Sequence, residues 1–361
     1  MQKIEKKGDK MLQKMGWEET VYKKLNDFIQ EKSNKEYCVF DFDNTCVIHD
    51  IQEVTYNYMI DNLVFKMDNK KFEENLKKNI AGEEKIDSLL VNLVKDYAFL
   101  YENYIFSKKI ELEKIKQTEE YLDFAVKLRY LYKYIGVVYD DIIRTVWGTY
   151  LFSGFTKEDF QEVGEEAVNI ALNETLKIEK MISKDGVEAI FRRGLRRIPE
   201  VEELIFSLRD SGRKVFIVSA SHEELVKSYA CRVLGFQEEE VYGMRSKKDL
   251  NGVYFGEYED NYPPTQNEGK SQLIKQFLVK KYGIGPSFVA GDSNGDSYMM
   301  TEFINTKLCL IIDRNLEGEI KELKISGNSK YLVQGRNEVE GKFINSKVSI
   351  ELELDSVNQK C

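Results

Sequence analysis

Apolar runs and amphipathic stretches alternate in the second half of this 361-residue chain. The apolar runs predict strands at residues 214–218, 240–245, 287–291, 307–312 and 331–333. Apolar residues at helical spacing predict helices between them, at residues 200–211, 222–234 and 270–282. Asn251-Gly252 lies between two apolar stretches and predicts a β-hairpin over residues 248–260. This alternation of strands and helices is the pattern of a parallel sheet covered by helices.

The first half of the chain has a different pattern. Residues 1–33 predict one or two amphipathic helices, for example from Glu18 to Ile29, and a strand follows at residues 36–42. From about residue 46 to 197 the apolar positions recur at helical spacing, and no proline occurs before Pro199. This long segment therefore reads as almost wholly helical.

One helix of that segment carries its own start signal. Thr156 can cap the first turn together with Asp159, three residues later.

A chain of this length usually divides into two domains. We predict an α/β core formed by residues 1–45 and 198–361, with an all-helical domain of residues 46–197 inserted after the first strand.

The end of the first strand carries the most informative polar residues, in the stretch Asp41-Phe42-Asp43-Asn44-Thr45. Side chains two positions apart on a strand point the same way, so Asp41 and Asp43 can share one metal ion and one substrate. Asp41 is a candidate nucleophile, and Asp43 is a candidate proton donor and acceptor.

Three further groups follow predicted strands or begin a predicted helix. Ser219 ends the run at residues 214–218, Lys270 lies where a helix begins, and Asp292 and Asp296 follow the run at residues 287–291. Parallel sheets bind their ligands at the carboxyl ends of the strands. We therefore expect the carboxylates of Asp41, Asp43 and Asp292 to meet around one cation, with the Lys270 amine facing them.

Composition narrows the class of protein. The formal net charge of -9 gives no indication of the basic surface that proteins need to bind nucleic acid. A cleft that contains a lysine and a metal ion can still attract a small anion. No apolar run is long enough to span a membrane, and the Lys/Glu-rich start has no apolar core of a signal peptide, so the expected location is the cytoplasm. Five scattered cysteines without a CxxC pair suggest neither a disulfide framework nor a zinc site.

The four motifs together resemble the haloacid dehalogenase superfamily over the whole α/β part of the chain. The large insertion after the first motif is similar to the subclass that includes phosphoserine phosphatases. The first motif with Asp50, and the stretch Ser219-Ala220-Ser221-His222-Glu223-Glu224-Leu225-Val226, look most similar to phosphorylcholine phosphatases. The resemblance implies a Rossmann-like parallel-sheet core with an inserted all-helical cap, and the activity of a phosphoric monoester hydrolase.

The resemblance also implies roles for the motif residues. Asp41 attacks phosphorus and becomes an aspartyl phosphate. Asp43 protonates the leaving alcohol and then removes a proton from the hydrolytic water. Ser219 donates a hydrogen bond to a phosphoryl oxygen, and Lys270 spreads positive charge over the phosphoryl group.

The implied cofactor is Mg²⁺. It is expected on Asp41, on the backbone carbonyl of Asp43 and on Asp292, while Asp296 steadies these ligands or binds through water. Neither histidines nor cysteines are grouped beside these carboxylates, which disfavours zinc.

The candidate residues for binding substrate fall into two groups. Asn44, Thr45 and Ala220 adjoin the core motifs, and Asp50 stands where phosphoserine phosphatases have a glutamate that contacts the substrate's amino group. This difference argues against phosphoserine as the substrate.

The second group lies in the cap. Glu83, Glu84 and aromatic residues such as Trp147 suit a quaternary ammonium, although the two glutamates equally fit the start of a helix. The arginine run at residues 192–197 favours a solvated hinge over a second anion site.

The sequence therefore predicts a magnesium-dependent phosphomonoesterase that acts on a small phosphorylated metabolite, with phosphocholine as a candidate. The alternatives are a phosphoserine phosphatase, a phosphotransferase, or a non-catalytic module that keeps the fold for binding. Neither nucleic acid nor a membrane is an expected partner, and the sequence leaves the oligomeric state open.

Overall fold

The computed structural model of the protein describes residues 11–80 and 82–354. The first elements are helix α1 (Glu19–Gln30) and strand β1 (Tyr37–Phe40). The Glu18 carboxylate accepts hydrogen bonds from the first amides of α1, and one face of the helix buries Val21, Leu25 and Phe28. The predicted helix from Glu18 to Ile29 is confirmed, whereas the part of that prediction on residues 1–10 lies outside the described residues.

A mainly helical segment follows β1. After the short strand β2 (Val47–Ile48), its helices are α2 (Ile51–Asn62), α3 (Asn69–Lys77), α4 (Glu84–Leu100), α5 (Leu112–Ile115), α6 (Glu119–Val138), α7 (Asp141–Tyr150) and α8 (Lys157–Asn173). A π-helical turn over Tyr101–Ile105 extends α4. The predicted capping of α8 is confirmed, because Thr156 and Asp159 each accept a hydrogen bond from the other's backbone amide.

The same segment also contains β-structure. Strands β3 (Lys177–Ile182) and β4 (Glu188–Arg193) form an antiparallel hairpin, and β5 (Arg196–Arg197) pairs with β2. The prediction of an all-helical segment is therefore wrong at these residues. Gly186 takes a φ of 85° in the turn, and on β4 the buried Ala189 and Phe191 alternate with exposed neighbours.

Strands and helices alternate along the rest of the chain, as predicted. Its elements are α9 (Pro199–Asp210), β6 (Lys214–His222), α10 (Glu223–Val233), β7 (Val241–Met244), β8 (Ser246–Lys248), β9 (Tyr254–Tyr258), α11 (Glu268–Leu273), α12 (Lys280–Tyr282), β10 (Phe288–Gly291), α13 (Ser297–Thr301), β11 (Leu308–Ile312), α14 (Glu319–Ile325), β12 (Tyr331–Gln334), β13 (Arg336–Asn337) and β14 (Lys342–Phe343). A π-helical stretch over Ile274–Val279 joins α11 to α12. The predicted hairpin around Asn251-Gly252 is confirmed as the antiparallel pair of β8 and β9.

Six parallel strands form the central sheet, in the order β12-β11-β10-β1-β6-β7. Phe40 of β1 pairs with Ala290 of β10 on one side and with Ile217 of β6 on the other. The carboxyl ends of these three neighbouring strands therefore meet at one edge of the sheet.

The apolar core has separate parts. Two clusters of buried side chains cover the two faces of the sheet, and a third lies among helices α2 to α8 and includes Phe72, Tyr97 and Phe124. The proposed division at residues 45/46 and 197/198 stays a prediction, and residues 1–10 and 355–361 of it lie outside the described residues. Among the described helices, none combines the length and apolarity needed to cross a bilayer.

One buried carboxylate in the mainly helical segment gives a stability prediction. Asp96 lies on α4, its Oδ2 atom has no hydrogen-bond partner among the described residues, and burial, assisted by Asp123, raises its pKa to about 6. The folded state therefore holds this proton more tightly than the unfolded state, and the stability that the neutral form provides is lost as pH rises from about 4 through 6. Asp96→Asn is expected to raise the free energy of unfolding at pH 8 by about 1–3 kcal/mol and to change it little at pH 4. Urea unfolding at the two pH values checks this, and equal effects at both would contradict it.

Candidate active site

Asp41 lies directly after β1 at the edge of the sheet where β1, β6 and β10 end. Its side chain is buried, and its Oδ1 atom is 2.6 Å from the Nζ atom of Lys270. Its Oδ2 atom accepts a hydrogen bond from the Thr45 hydroxyl at 3.1 Å. Burial raises the pKa of Asp41 well above its ordinary value, and the Lys270 ammonium opposes this shift. The carboxylate is thus poorly solvated and held by few partners, which suits a nucleophile.

Asp43 faces hydroxyl groups instead of cations. Its Oδ2 atom accepts hydrogen bonds from the hydroxyls of Ser221 at 2.7 Å and Ser219 at 3.1 Å. Its Oδ1 atom accepts from the backbone amide of Ile51, the first residue of α2, at 2.6 Å. Burial raises the pKa of Asp43. A carboxyl group with a raised pKa can hold a proton closer to neutral pH, as a general acid must.

Lys270 is the buried cation of the site. It projects from α11, and its Nζ atom lies 2.6 Å from both Asp41 Oδ1 and Asp296 Oδ1. Burial alone would lower the pKa of Lys270, but Asp296 and Asp41 raise it above the ordinary lysine value. The lysine therefore stays charged.

Three carboxylates are close enough to share a metal ion. Oxygens of Asp41, Asp292 and Asp296 lie within 4.8 Å of one another, and all three residues are buried. The Asp43 carboxylate, which was expected to join Asp41 and Asp292 around the cation, is not part of this group. The Thr45 hydroxyl lies 3.1 Å from Asp41 Oδ2 and 3.2 Å from Asp292 Oδ1. A hydroxyl has one proton, so it leaves one of these oxygens free to bind a cation. Hard oxygen donors of this kind fit Mg²⁺.

The two acidic residues after β10 have different surroundings. Asp296 Oδ2 accepts hydrogen bonds from the amides of Asp292 at 2.9 Å and Ser293 at 3.0 Å, which fixes the turn at the end of the strand. Asp292 Oδ2 instead lies 2.6 Å from the Arg314 guanidinium. Asp292 therefore faces the cavity, and Asp296 also stabilises the turn.

Two arginines at the site were not predicted from the sequence. Arg314 follows β11, pairs with Asp292 and adds a second cation to the site. Arg336 is fully buried at the start of β13 and donates to the carbonyl oxygen of Asn44 at 3.0 Å and to its Oδ1 at 2.9 Å. Asn44 has a φ of 62°, an unusual conformation that these hydrogen bonds support.

The site opens into a cavity of about 250 Å³. Of the residues predicted from the sequence, those that line it are Asp41, Asp43, Asn44, Asp50, Ala220, Lys270 and Asp292. Thr45 and Ser219 are buried behind this lining and contact it through Asp41 and Asp43. The Ser219 hydroxyl, expected to donate to a phosphoryl oxygen, instead donates to Asp43 at 3.1 Å. Asp50 also caps α2, since its Oδ1 atom accepts a hydrogen bond from the amide of Glu53 at 2.8 Å.

The cap residues proposed for a quaternary ammonium lie elsewhere. Glu83 caps α4 by accepting a hydrogen bond from the Ile86 amide at 2.7 Å, and Glu84 is the first residue of that helix. Trp147 is buried on α7 and donates to the carbonyl oxygen of Leu76 at 3.0 Å. None of the three lines the cavity at the site.

Magnesium should stabilise the folded protein if the three carboxylates bind it. At a Mg²⁺ concentration a hundredfold above the dissociation constant, the free energy of unfolding should rise by about 2.7 kcal/mol. Differential scanning fluorimetry with and without Mg²⁺ measures the shift in Tm. Asp292→Asn should remove most of this shift, whereas Asp27→Asn, an exposed position on α1, should retain it. An equal shift in both variants would contradict the assignment of the metal site.

Comparison with known proteins agrees with this architecture. Residues 144–301 match the family of haloacid dehalogenase-like hydrolases. The matched range includes Ser219, Lys270 and Asp292 but not Asp41 or Asp43. Together with the parallel sheet, the match confirms the predicted α/β fold class with its inserted, mainly helical segment.

Among solved structures, a conserved protein of unknown function from Anaerococcus prevotii is 29% identical, with a TM-score of 0.86 over 94% of this chain and 98% of its own. A phosphoserine phosphohydrolase-like protein from Francisella tularensis is 13% identical, with a TM-score of 0.39 over 82% of this chain and 94% of its own. A substrate-bound phosphoserine phosphatase is 15% identical, with a TM-score of 0.37 over 88% of this chain and 96% of its own. No curated protein gives a significant match. Only the first of these structures is similar enough to bear on the fold.

Proposed function

We propose that this chain is a magnesium-dependent phosphomonoesterase of the haloacid dehalogenase-like hydrolases. The supporting observation is that the two carboxylates after β1 have different kinds of partner. Asp41 contacts the Lys270 ammonium at 2.6 Å, whereas Asp43 contacts the hydroxyls of Ser219 and Ser221. Two carboxylates in different surroundings can take the roles of nucleophile and acid in one reaction.

The first half-reaction forms a covalent intermediate. An Asp41 oxygen attacks phosphorus, the bond between phosphorus and the ester oxygen breaks, and the alcohol leaves with a proton from Asp43. The Lys270 ammonium reduces the repulsion between Asp41 and the anionic phosphoryl group. Asp41, Asp292 and the backbone carbonyl of Asp43 would hold Mg²⁺, which would supply positive charge beside the phosphoryl oxygens, and Asp296 would steady these ligands.

The second half-reaction releases phosphate. Asp43, now deprotonated, removes a proton from a water molecule as the water attacks phosphorus, and the bond to Asp41 breaks. The hydrogen bonds from Ser219 and Ser221 hold the Asp43 carboxylate in one orientation through both steps. An acceptor alcohol in place of water would make the protein a phosphotransferase.

We propose a small organic phosphate as the substrate class. The cavity at the site contains Asp141 and Tyr132, an acidic and aromatic pair that would suit the ammonium of phosphocholine. Arg144 already lies beside both groups, at 2.9 Å from Asp141 and 5.1 Å from the centre of the Tyr132 ring. Phosphocholine would have to displace this arginine, so it stays one candidate beside phosphoserine.

A phosphate-release screen tests the proposed function. The purified protein is incubated with several dozen phosphomonoesters, with Mg²⁺ or with a chelator, and with added acceptor alcohols in a parallel series. We expect Mg²⁺-dependent release of phosphate from a subset of small esters. Absence of release from every ester would favour the non-catalytic alternative, and formation of a new ester with an added alcohol would indicate phosphoryl transfer.

A further inference from the structure

A second cavity adjoins the site. It measures about 410 Å³, larger than the cavity at the carboxylates. The residues that line both cavities are Asn44, Asp50, Asp141, Arg144 and Arg314. A substrate whose phosphoryl group meets Asp41 can therefore extend its alcohol portion into this outer cavity.

Basic residues from four different elements line the outer cavity. They are Lys133 of α6, Arg144 of α7, Arg192 of β4 and Arg314 of the segment after β11. The acidic residues that line it are Asp50, Glu53 and Asp141. Basic groups thus face the cavity from both the cap and the sheet edge.

Most of these charges already have partners. Lys133 lies 3.4 Å from Glu53, Arg144 lies 2.9 Å from Asp141, and Arg314 lies 2.6 Å from Asp292.

Arg192 differs from the other three basic residues. Among the described residues its guanidinium has no ion pair within 4.0 Å, although Glu53 and Glu338 are close enough to interact with its charge. The Glu53 carboxylate accepts a hydrogen bond from the Arg192 backbone amide at 3.1 Å and lies 3.4 Å from Lys133. A partly buried guanidinium that lines a cavity without an ion pair of its own can bind an anion there.

The neighbouring arginines of the same run show the contrast. Arg193 pairs with Asp61 and Glu179, and Arg196 donates to the carbonyl oxygen of Glu174 at 2.7 Å. Arg197 is more exposed and pairs with Glu202 at 2.6 Å. The predicted role of this run as a solvated hinge therefore does not explain why Arg192 lines the cavity.

We infer that the outer cavity binds a second anionic group, a carboxylate or a phosphate, on the alcohol portion of the substrate, and that Arg192 is its principal ligand. This inference rests on the proposed phosphomonoesterase activity and narrows its substrates to doubly anionic esters. A planar guanidinium can donate two parallel hydrogen bonds to either kind of anion, and Arg144 and Arg314 add positive charge where the two cavities meet.

A matched series of esters tests the inference. Propyl phosphate has an uncharged tail, 3-(phosphonooxy)propanoate ends in a carboxylate, propane-1,3-diyl bisphosphate ends in a second phosphate, and phosphocholine carries a cation. With Mg²⁺ present, kcat/KM for the better of the two doubly anionic esters should exceed that for propyl phosphate by roughly tenfold or more, mainly through KM. The comparison of the carboxylate with the phosphate identifies which anion is preferred.

Two arginine variants assign this preference to the cavity. Arg192→Gln should bring the ratio of kcat/KM between doubly anionic and neutral esters close to one. Arg197→Gln removes an arginine of the same run that does not line the cavity, and it should keep the parent's ratio.

Three results would overturn the inference. The first is turnover of propyl phosphate or phosphocholine that equals or exceeds that of both doubly anionic esters. The second is an unchanged ratio in Arg192→Gln. The third is absence of hydrolysis for all four esters and throughout the wider screen, which would also overturn the proposed function, whereas the first two would leave that function standing.

Discussion

Asp41→Asn is expected to lose essentially all phosphatase turnover, with kcat reduced by roughly a thousandfold or more, because the amide cannot form the covalent intermediate. The variant should remain folded. Asparagine has nearly the same shape as aspartate, and Lys270 keeps its contact with Asp296 at 2.6 Å. Burial raises the pKa of Asp41, so its charge is costly in the folded protein and its removal should not lower the free energy of unfolding.

The measurement is phosphate release under saturating ester, beside a thermal unfolding curve of the same preparation. Asp27→Asn, the exposed control used for the metal site, should behave like the parent in both assays. A folded Asp41→Asn protein that hydrolyses the ester at the parent's rate would show that Asp41 is not the nucleophile.

Lys270→Met should impair both stability and activity. The substitution keeps most of the side-chain length but removes the cation between Asp41 and Asp296. Loss of one partner from a buried ionic group typically costs about 3–5 kcal/mol of folding free energy. Loss of the positive charge near the phosphoryl group should also reduce kcat by roughly a hundredfold or more.

A control and a double variant make this prediction specific. Lys275→Met removes an exposed lysine close by in sequence, whose surface ion pair with Glu302 should contribute less than about 1 kcal/mol. The double variant Asp41→Asn with Lys270→Met should be more stable than Lys270→Met alone, because one uncompensated carboxylate is gone. Equal free energies of unfolding for Lys270→Met and Lys275→Met would contradict the stabilising role proposed for the Lys270 charge.

The sequence predicted the central part of the site because local rules determine it. Apolar runs identify β1, β6 and β10, and a parallel sheet requires residues at their carboxyl ends to meet. Asp41, Ser219 and Asp292 follow from these two rules alone. Lys270 could be predicted because it begins a recognisable helix, and its contact with Asp41 at 2.6 Å agrees with that expectation.

The missed residues depend on contacts between distant parts of the chain. Arg336 reaches Asn44 across 292 sequence positions, and Arg314, in the segment after β11, reaches Asp292 at the end of the neighbouring strand β10. No periodicity in the sequence marks either contact. The hairpin of β3 and β4 was missed for another reason, since its turn signal Asp185-Gly186 was present but lay in a segment read as helical.

The role of Arg192 in the outer cavity could not be predicted from the sequence either. The sequence placed Arg192 within a basic run but could not separate it from its neighbours. Only the folded structure shows that Arg193 and Arg197 have carboxylate partners while Arg192 lines a cavity. A pattern of charges along a chain does not tell which of them are neutralised by tertiary contacts.

The most direct test of the account is detection of the covalent intermediate. The protein is mixed with Mg²⁺ and the best substrate of the screen, quenched in acid within the turnover time, digested and analysed by mass spectrometry. The account predicts one phosphoryl group on the peptide that contains Asp41, which is absent from Asp41→Asn. A phosphoryl group on another residue, or turnover without any phosphorylated peptide under conditions that trap an acyl phosphate, would contradict it.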